Sequence, residues 1–408
     1  MRILYFSDVY FPRVNGVSTS MRTFSRELRD LGHEVIIAAP AYPQAAGADD
    51  ANVIRIPARQ IPLDPEDRLM GQRDLTSLSR HPRLQEVDLV HIQTPFAAHY
   101  AGLRFARQRG LPCVATYHTF FEEYLFHYVP FAPRALMRSL ARAFSRRQGN
   151  QVDALVVPSR AMRSALAAYG VQTPMTVLPT GIRLQELRGG DGVAFRRAHG
   201  IAPQRPLLVH IGRVAFEKNI DFLLRMLPRV RARHPGVMLL IAGEGPALPS
   251  LKQLARTLGV ADCVKFIGYL DRATTLLDCY SAGDAFVFAS RTETQGLVLL
   301  EAMALGVPVV AIAEMGTIDI LEPRRGGLVA QPDEADFARA VATVLDSPAL
   351  RDHLSTEGRQ FAAQWDAASQ AQQLAALYAQ VAVTPAAGVR DSGAGIRDGI
   401  VQSGIHGQ

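Results

Sequence analysis

A chain of 408 residues with 48% hydrophobic and 20% charged side chains is an ordinary globular composition, long enough for two separate cores. It is not that of a disordered or collagen-like chain, and no apolar run approaches the roughly 18 residues of a membrane-spanning helix. The net charge of +6 is uneven: residues 1–180 carry 21 Arg and no Lys against 15 acidic residues, whereas residues 181–408 balance at 23 each.

In chain order, Ile3–Phe6 is a predicted strand, Thr19–Leu31 a helix and Val35–Ala38 a second strand. The apolar run at the start is too short for a signal sequence, which favours the strand. Val53–Ile56, Leu89–Ile92, Cys113–Thr116 and Ala154–Val157 continue the strands, with a helix over His99–Arg109. Continuous apolar runs, rather than strict alternation, indicate parallel strands buried on both faces. A second series begins after Pro179-Thr180-Gly181, with strands Leu207–Ile211, Val237–Ala242, Val264–Ile267, Ala285–Ala289 and Val307–Ala311. Its predicted helices are Ile220–Arg233, Leu248–Leu258, Asp333–Leu345 and Ala349–Gln364, and Glu186–Pro206 reads as a linker or loop. A last helix, Ala367–Val381, precedes a polar tail over 384–408 whose composition predicts disorder. The pattern predicts an α/β protein of two Rossmann-like doubly wound domains facing a cleft, 1–182 and 183–366, with 367–383 returning to the first.

Cys113, Cys263 and Cys279 are widely spaced and form no CxxC pair, which disfavours disulfides and a zinc site and fits a reducing cytoplasm. The positive first half calls for an anionic partner there, unless it reflects only an Arg-rich composition. Lys218, Lys252 and Lys265 are the sole lysines beside 41 arginines, so a Lys marks a place for a compact point charge.

Strand-to-helix turns carry the candidate chemistry. After the first strand, Gly16 could bring backbone N–H groups to a phosphate, or simply make a turn; the full dinucleotide fingerprint is absent. In the second half Arg213 ends a strand and Lys218 opens a helix, a pocket for a diphosphate if the two loops are more than ordinary connections. Gly243 lies in a further loop, Gly243-Glu244-Gly245-Pro246, where backbone can approach a ligand. In Ser290–Glu301, Glu293 precedes a helix and Glu301 falls two turns inside it among apolar neighbours, where a buried carboxylate needs a hydrogen-bonding partner such as a sugar diol.

R-x4-K followed by E-x7-E on a second Rossmann-like half resembles the retaining glycosyltransferases of family 4, which share the GT-B fold, over about residues 1–383. The resemblance implies a nucleotide-sugar donor, UDP-hexose or GDP-mannose, whose diphosphate Arg213 and Lys218 bind. It implies that Glu301 binds the ribose hydroxyls, that Glu293 contacts the transferred sugar, and that Gly296 and Leu297 offer backbone amides. Gly16 would then face the diphosphate across the cleft, with Tyr269 and Leu270 near the base. Thr116-Tyr117-His118-Thr119-Phe120-Phe121-Glu122-Glu123-Tyr124 resembles a stretch of bacterial enzymes that build diacylglycerol glycolipids, as does Glu293-Thr294-Gln295-Gly296-Leu297. By that match His118 faces the sugar or acceptor; otherwise it is a satisfied core histidine. Glycan mannosyltransferases carry similar segments, so the acceptor is a lipid or a glycan, and no nucleic-acid partner is expected.

Arg134, Arg138, Arg142 and Arg146 recur every fourth residue, with Leu136, Leu140 and Phe144 on another face. This basic amphipathic helix suits an anionic membrane surface, or is a packed helix with a solvated Arg face. The expected place is the cytoplasm, peripheral on the inner face of the cell membrane. No D-x-D triad occurs, so cations rather than a metal would hold the leaving diphosphate, and no cofactor is expected. An epimerase or phosphorylase would share the two-domain fold, but the paired motifs argue against both. A non-catalytic sugar-nucleotide-binding protein is the reading from another class.

Overall fold

The computed structural model describes residues 1–43, 51–61, 64–120, 134–272 and 274–383, with the side chains of 61, 64–67 and 134 excepted. The tail, Phe121–Tyr124 of the motif above and the Arg134 side chain therefore lie outside the described residues.

The strands of the first half are β1 (Arg2–Phe6), β2 (Glu34–Pro40), β3 (Val53–Ile56), β4 (Ala58–Ile61), β5 (Asp64–Met70), β6 (Leu89–Ile92), β7 (Cys113–Thr116), β8 (Ala154–Val157) and β9 (Met175–Val177). Among the described residues they form a seven-stranded sheet in the order β3-β2-β1-β6-β7-β8-β9, parallel throughout, with β4 and β5 set apart as an antiparallel hairpin. In the second half β10 (Leu207–Ile211), β11 (Met238–Ala242), β12 (Val264–Phe266), β13 (Ala285–Phe288), β14 (Val309–Ile312) and β15 (Gly327–Ala330) form a six-stranded parallel sheet, β12-β11-β10-β13-β14-β15. Both orders reverse beside their first strand, between β1 and β6 and between β10 and β13. Such switch points open a crevice at the carboxyl ends of the strands, where ligands bind in this class of sheet.

The hairpin escaped sequence reading because Asp64-Pro65-Glu66-Asp67 has the composition of a turn. Glu186–Pro206 is not simply a loop: Asp191 caps a short helix, Gly192–Ala198, accepting the Ala194 N–H at 2.8 Å. The first helix runs over Gly16–Asp30, starting earlier than Thr19, because Asn15 and Ser18 form a reciprocal capping box.

The helix Ala367–Val383 packs on the first half. Its Ala371, Leu374, Tyr378 and Val381 recur at helical spacing and are buried with Ile3, Tyr5, Met21, Phe24 and Leu28. The Tyr378 hydroxyl lies 3.1 Å from the Tyr5 hydroxyl and 2.6 Å from His91 Nδ1, and His91 Nε2 meets Thr116 Oγ1 at 2.7 Å. Such a polar chain suits a core because each member has a partner. Two chain crossings run side by side: the Ile182 N–H donates to Trp365 O at 2.7 Å, and the Ala367 N–H to Ile182 O at 3.1 Å.

Candidate active site

At the first switch point Asp8 follows β1. One of its oxygens accepts the Thr94 hydroxyl at 2.7 Å and the other the Ala98 N–H at 3.0 Å. Burial pushes its carboxyl up despite those bonds. Asp8 thus fixes the loop after β6, whose Gln93 lies 3.1 Å by its amide oxygen from His118 Nε2. His118 leaves the carboxyl end of β7 and is half-buried; desolvation lowers its pKa to about 4, so its ring is neutral at physiological pH. Gly16 is the first residue of its helix, and a Cβ there would meet nothing within 4 Å, so neither packing nor backbone conformation requires a glycine.

At the second switch point Arg213 follows β10 and Lys218 closes a short turn, Phe216–Lys218, before the helix Ile220–Arg233. Lys218 Nζ lies 2.6 Å from Glu293 Oε1, across from β10 to the loop after β13. Burial pushes the Glu293 carboxyl up, but the Lys218 ammonium and a Ser290 hydrogen bond outweigh it and hold it below the ordinary range. Arg213 Nη1 lies 3.8 Å from Glu217. The Thr292 hydroxyl donates to Glu217 O at 3.3 Å and so ties the two loops together. Behind them His210 donates from Nδ1 to Val287 O at 3.0 Å; burial lowers its pKa to about 4.

Gly296 caps the helix Leu297–Ala304 at φ 100° and ψ 49°, a left-handed conformation that favours glycine, and Leu297 is the first residue of that helix. Because the helix starts there, Glu301 stands one turn in rather than two, and it is 3% exposed. Its partners are protein groups. The Tyr280 hydroxyl donates to one oxygen at 2.9 Å, and Arg272 forms an ion pair with the other. Neither was foreseen, since both depend on the connection after β12 folding back onto this helix. Gly243 makes its close approach to protein: a Cβ there would come within 1.9 Å of Gly212 O. Tyr269 is 49% exposed, while Leu270 packs on the second core.

The two halves meet at the site. Thr294 donates its hydroxyl to His118 O at 3.2 Å. Gln295 and Thr180 exchange two hydrogen bonds of 2.8 Å, and Thr180 donates to Ser20 at 2.7 Å. The helix Arg134–Gly149 packs by its C-terminal part on the loops beside His118: Ser145 Oγ lies 2.6 Å from the Tyr117 hydroxyl, and Gln148 donates to Pro95 O at 2.6 Å. Arg138, Arg142 and Arg146 are exposed, the Arg142 guanidinium lying 5.3 Å from the centre of the Tyr169 ring. Phe144 packs into the first core, but Leu136 and Leu140 are 53% and 54% exposed. No described helix is long and apolar enough to cross a membrane.

Two Rossmann-like sheets whose switch points share one cleft, with paired cations and carboxylates on the second, define the GT-B class of glycosyltransferase. Residues 14–186 match the model of Glycosyltransferase Family 4 and residues 193–361 that of glycosyl transferases group 1, and the chain belongs to this family. It is 33% identical to the alpha-monoglucosyldiacylglycerol synthase of Streptococcus pneumoniae over 88% of this chain and 81% of that one. It is 30% identical to the enzyme of the same name from Acholeplasma laidlawii over 76% of this chain and 80% of that one. A GDP-mannose-dependent alpha-mannosyltransferase of Mycolicibacterium smegmatis is 29% identical over 88% and 90%. Among solved structures, Anabaena Alr3699/HepE in complex with UDP and glucose superposes with a TM-score of 0.77 at 18% identity, covering 93% of this chain and all of that one.

Proposed function

We propose that this glycosyltransferase moves a hexose from a UDP-hexose, with retention and without a metal, to a hydroxyl of a membrane glycolipid precursor such as diacylglycerol. The observation that carries the proposal is the convergence of Arg213, Lys218 and Glu293 with the His118 loop at the facing ends of the two sheets. As the glycosidic bond breaks, negative charge grows on the departing diphosphate, and the two cations stand where it develops. Glu293, held ionised by Lys218, faces the transferred sugar, and Glu301 takes the ribose hydroxyls. Gly16, Gly296 and Leu297 supply backbone amides at two helix starts, and Gly243, Tyr269 and Leu270 border the nucleotide. The neutral His118 ring lies on the acceptor side. In retention by same-face attack the leaving phosphate itself accepts the acceptor proton, so the protein need supply no second carboxylate base. The absence of a D-x-D triad supports metal independence.

The lipid acceptor is supported by the identity to two diacylglycerol glucosyltransferases and by the exposed Leu136 and Leu140 beside Arg138, Arg142 and Arg146. The enzyme would then work from the cytoplasmic side, peripheral on the inner face of the cell membrane. A GDP-mannose donor with a polysaccharide or small-molecule acceptor is the second reading, favoured by the mycobacterial relative.

A thermal-shift screen of UDP- and GDP-sugars tests the donor, because bound ligand stabilises with the logarithm of its concentration over its affinity. Transfer from the stabilising donor to diacylglycerol in mixed micelles, with and without EDTA, tests the rest; the anomeric coupling of the product reports retention. Transfer to a soluble glycan but not to lipid would replace the first reading by the second.

A further inference from the structure

Glu301 is the most enclosed carboxylate of the cleft, and in this structure both its oxygens are engaged by protein. Tyr280, on the helix Thr275–Ala282, is buried beside it and cannot leave without disturbing the core. Arg272 comes instead from the connection between β12 and that helix, with 32% of its side chain exposed. The reading above gives the ribose hydroxyls to the same carboxylate. Each carboxylate oxygen can accept two hydrogen bonds, so Tyr280, which reaches its oxygen from the core, can stay while a ribose diol binds; Arg272 stands on the exposed side, from which the ribose would come.

We propose that Arg272 competes with the donor's ribose: its guanidinium occupies a Glu301 oxygen in the unliganded protein, and nucleotide binding displaces it. The inference rests on the assignment of Glu301 to the ribose. A displaced guanidinium needs another negative charge or water. On the facing helix stands Arg22, which burial, then the like charges of Arg272 and Arg26, hold below the ordinary arginine value. Glu186, whose charge acts on both Arg22 and Arg272, is already paired with Arg26 at 2.9 Å and Arg183 at 3.2 Å. With that carboxylate taken, the displaced Arg272, 32% of whose side chain is already exposed, passes to solvent, and the loss of its ion pair is a cost that the ribose must meet. A nucleotide without ribose hydroxyls leaves the ion pair in place.

Calorimetry at pH 8 with UDP and with 2′,3′-dideoxyuridine diphosphate tests this. A ligand that must displace a resident group binds more weakly by the fraction of time the site is open. UDP should bind R272M about tenfold more tightly than wild type, as for a carboxylate open roughly one-tenth of the time, and the dideoxy nucleotide should not gain. The preference for UDP over its dideoxy analogue therefore widens. If R272M does not fold, R272Q, whose shorter polar side chain carries no charge, should widen it in the same direction. E301Q separates the two ideas. It should abolish the preference when Glu301 holds the ribose; a preference that survives E301Q overturns the ribose assignment. A preference abolished by E301Q but unchanged or narrowed by R272M and R272Q overturns the role of Arg272 alone.

Discussion

Thr294 and His118 lie 176 residues apart in sequence, yet the Thr294 hydroxyl donates to the His118 backbone carbonyl at 3.2 Å, so the loop after Glu293 is tied to the loop of the other domain. Thr294→Val keeps the shape and removes the bond, a loss of about 1 kcal/mol or a factor of roughly five. The loss should fall on kcat/KM for transfer, while the Kd of UDP changes less than twofold. Calorimetry showing an equal loss of UDP affinity would mean that the bond supports the donor pocket rather than the meeting of the domains.

Lys218→Ala should lower kcat/KM by about 2–4 kcal/mol of transition-state stabilisation, the usual cost of one preorganised donor. Lys218→Arg should also be impaired, because a planar fork does not reproduce a point charge 2.6 Å from Glu293. Steady-state kinetics with near-normal values in the alanine variant would remove Lys218 from the reaction.

Glu293 and Glu301 should separate cleanly. Glu301→Gln weakens binding of both the sugar nucleotide and the free nucleoside diphosphate, and it lowers Tm because the Arg272 cation loses its partner. Glu293→Gln mainly reduces turnover of the intact donor. Calorimetry and kinetics giving interchangeable profiles for the two variants would contradict this division.

Three histidines, two of them fully buried, set an acid limit on stability. Burial lowers His91 to about 3, and His118 and His210 each to about 4. The unfolded chain takes up its protons near pH 6.5 and the folded chain only near 3–4. Stability is therefore fully present above pH 6.5 and falls as the pH drops from there toward 4. Each unit by which such a group is held down is worth roughly 1.4 kcal/mol. His210→Phe, which keeps a ring between Phe286 and Phe288, should make the fall in Tm between pH 6.5 and 4 shallower. A slope identical to that of the wild type would exclude His210 from the effect.

Vesicle binding should rise with anionic lipid and weaken as salt shortens the Debye length, each exposed Arg contributing roughly 1 kcal/mol before screening. Exchanging Arg138 and Arg142 for Glu should release the protein from vesicles and leave hydrolysis of the soluble donor intact. Sedimentation with liposomes that ignored both salt and the substitutions would point to a soluble acceptor.

Much of the architecture was legible because strands such as Leu4–Phe6 and Leu207–Ile211 are buried on both faces and so read as unbroken apolar runs. The pairing of Lys218 with Glu293 was within reach for the same reason: strands adjacent in a doubly wound order bring their following loops together. The contacts of Glu301 were not. Arg272 and Tyr280 reach it through a tertiary fold-back that leaves no periodic trace, and the sequence offered only an isolated buried carboxylate. Likewise His91, Tyr378 and Tyr5 read as scattered apolar-run residues until a helix from the far end of the chain joins them. The reading of Gly243 as a ligand approach overlooked a simpler demand, the nearness of the Gly212 carbonyl.

The helix Ala367–Val383 has a consequence for the order in which the protein is made. The first sheet emerges from the ribosome with one flank unfinished, and the piece that completes it is synthesised only after the second half. Until then Tyr5 and His91 face water instead of the Tyr378 hydroxyl, and the apolar flank around Met21, Phe24 and Leu28 stays uncovered. The first half therefore cannot finish folding as it is translated. It must wait while the whole second half is threaded out, and a chain cut short at residue 366 would carry two sheets but only one completed core.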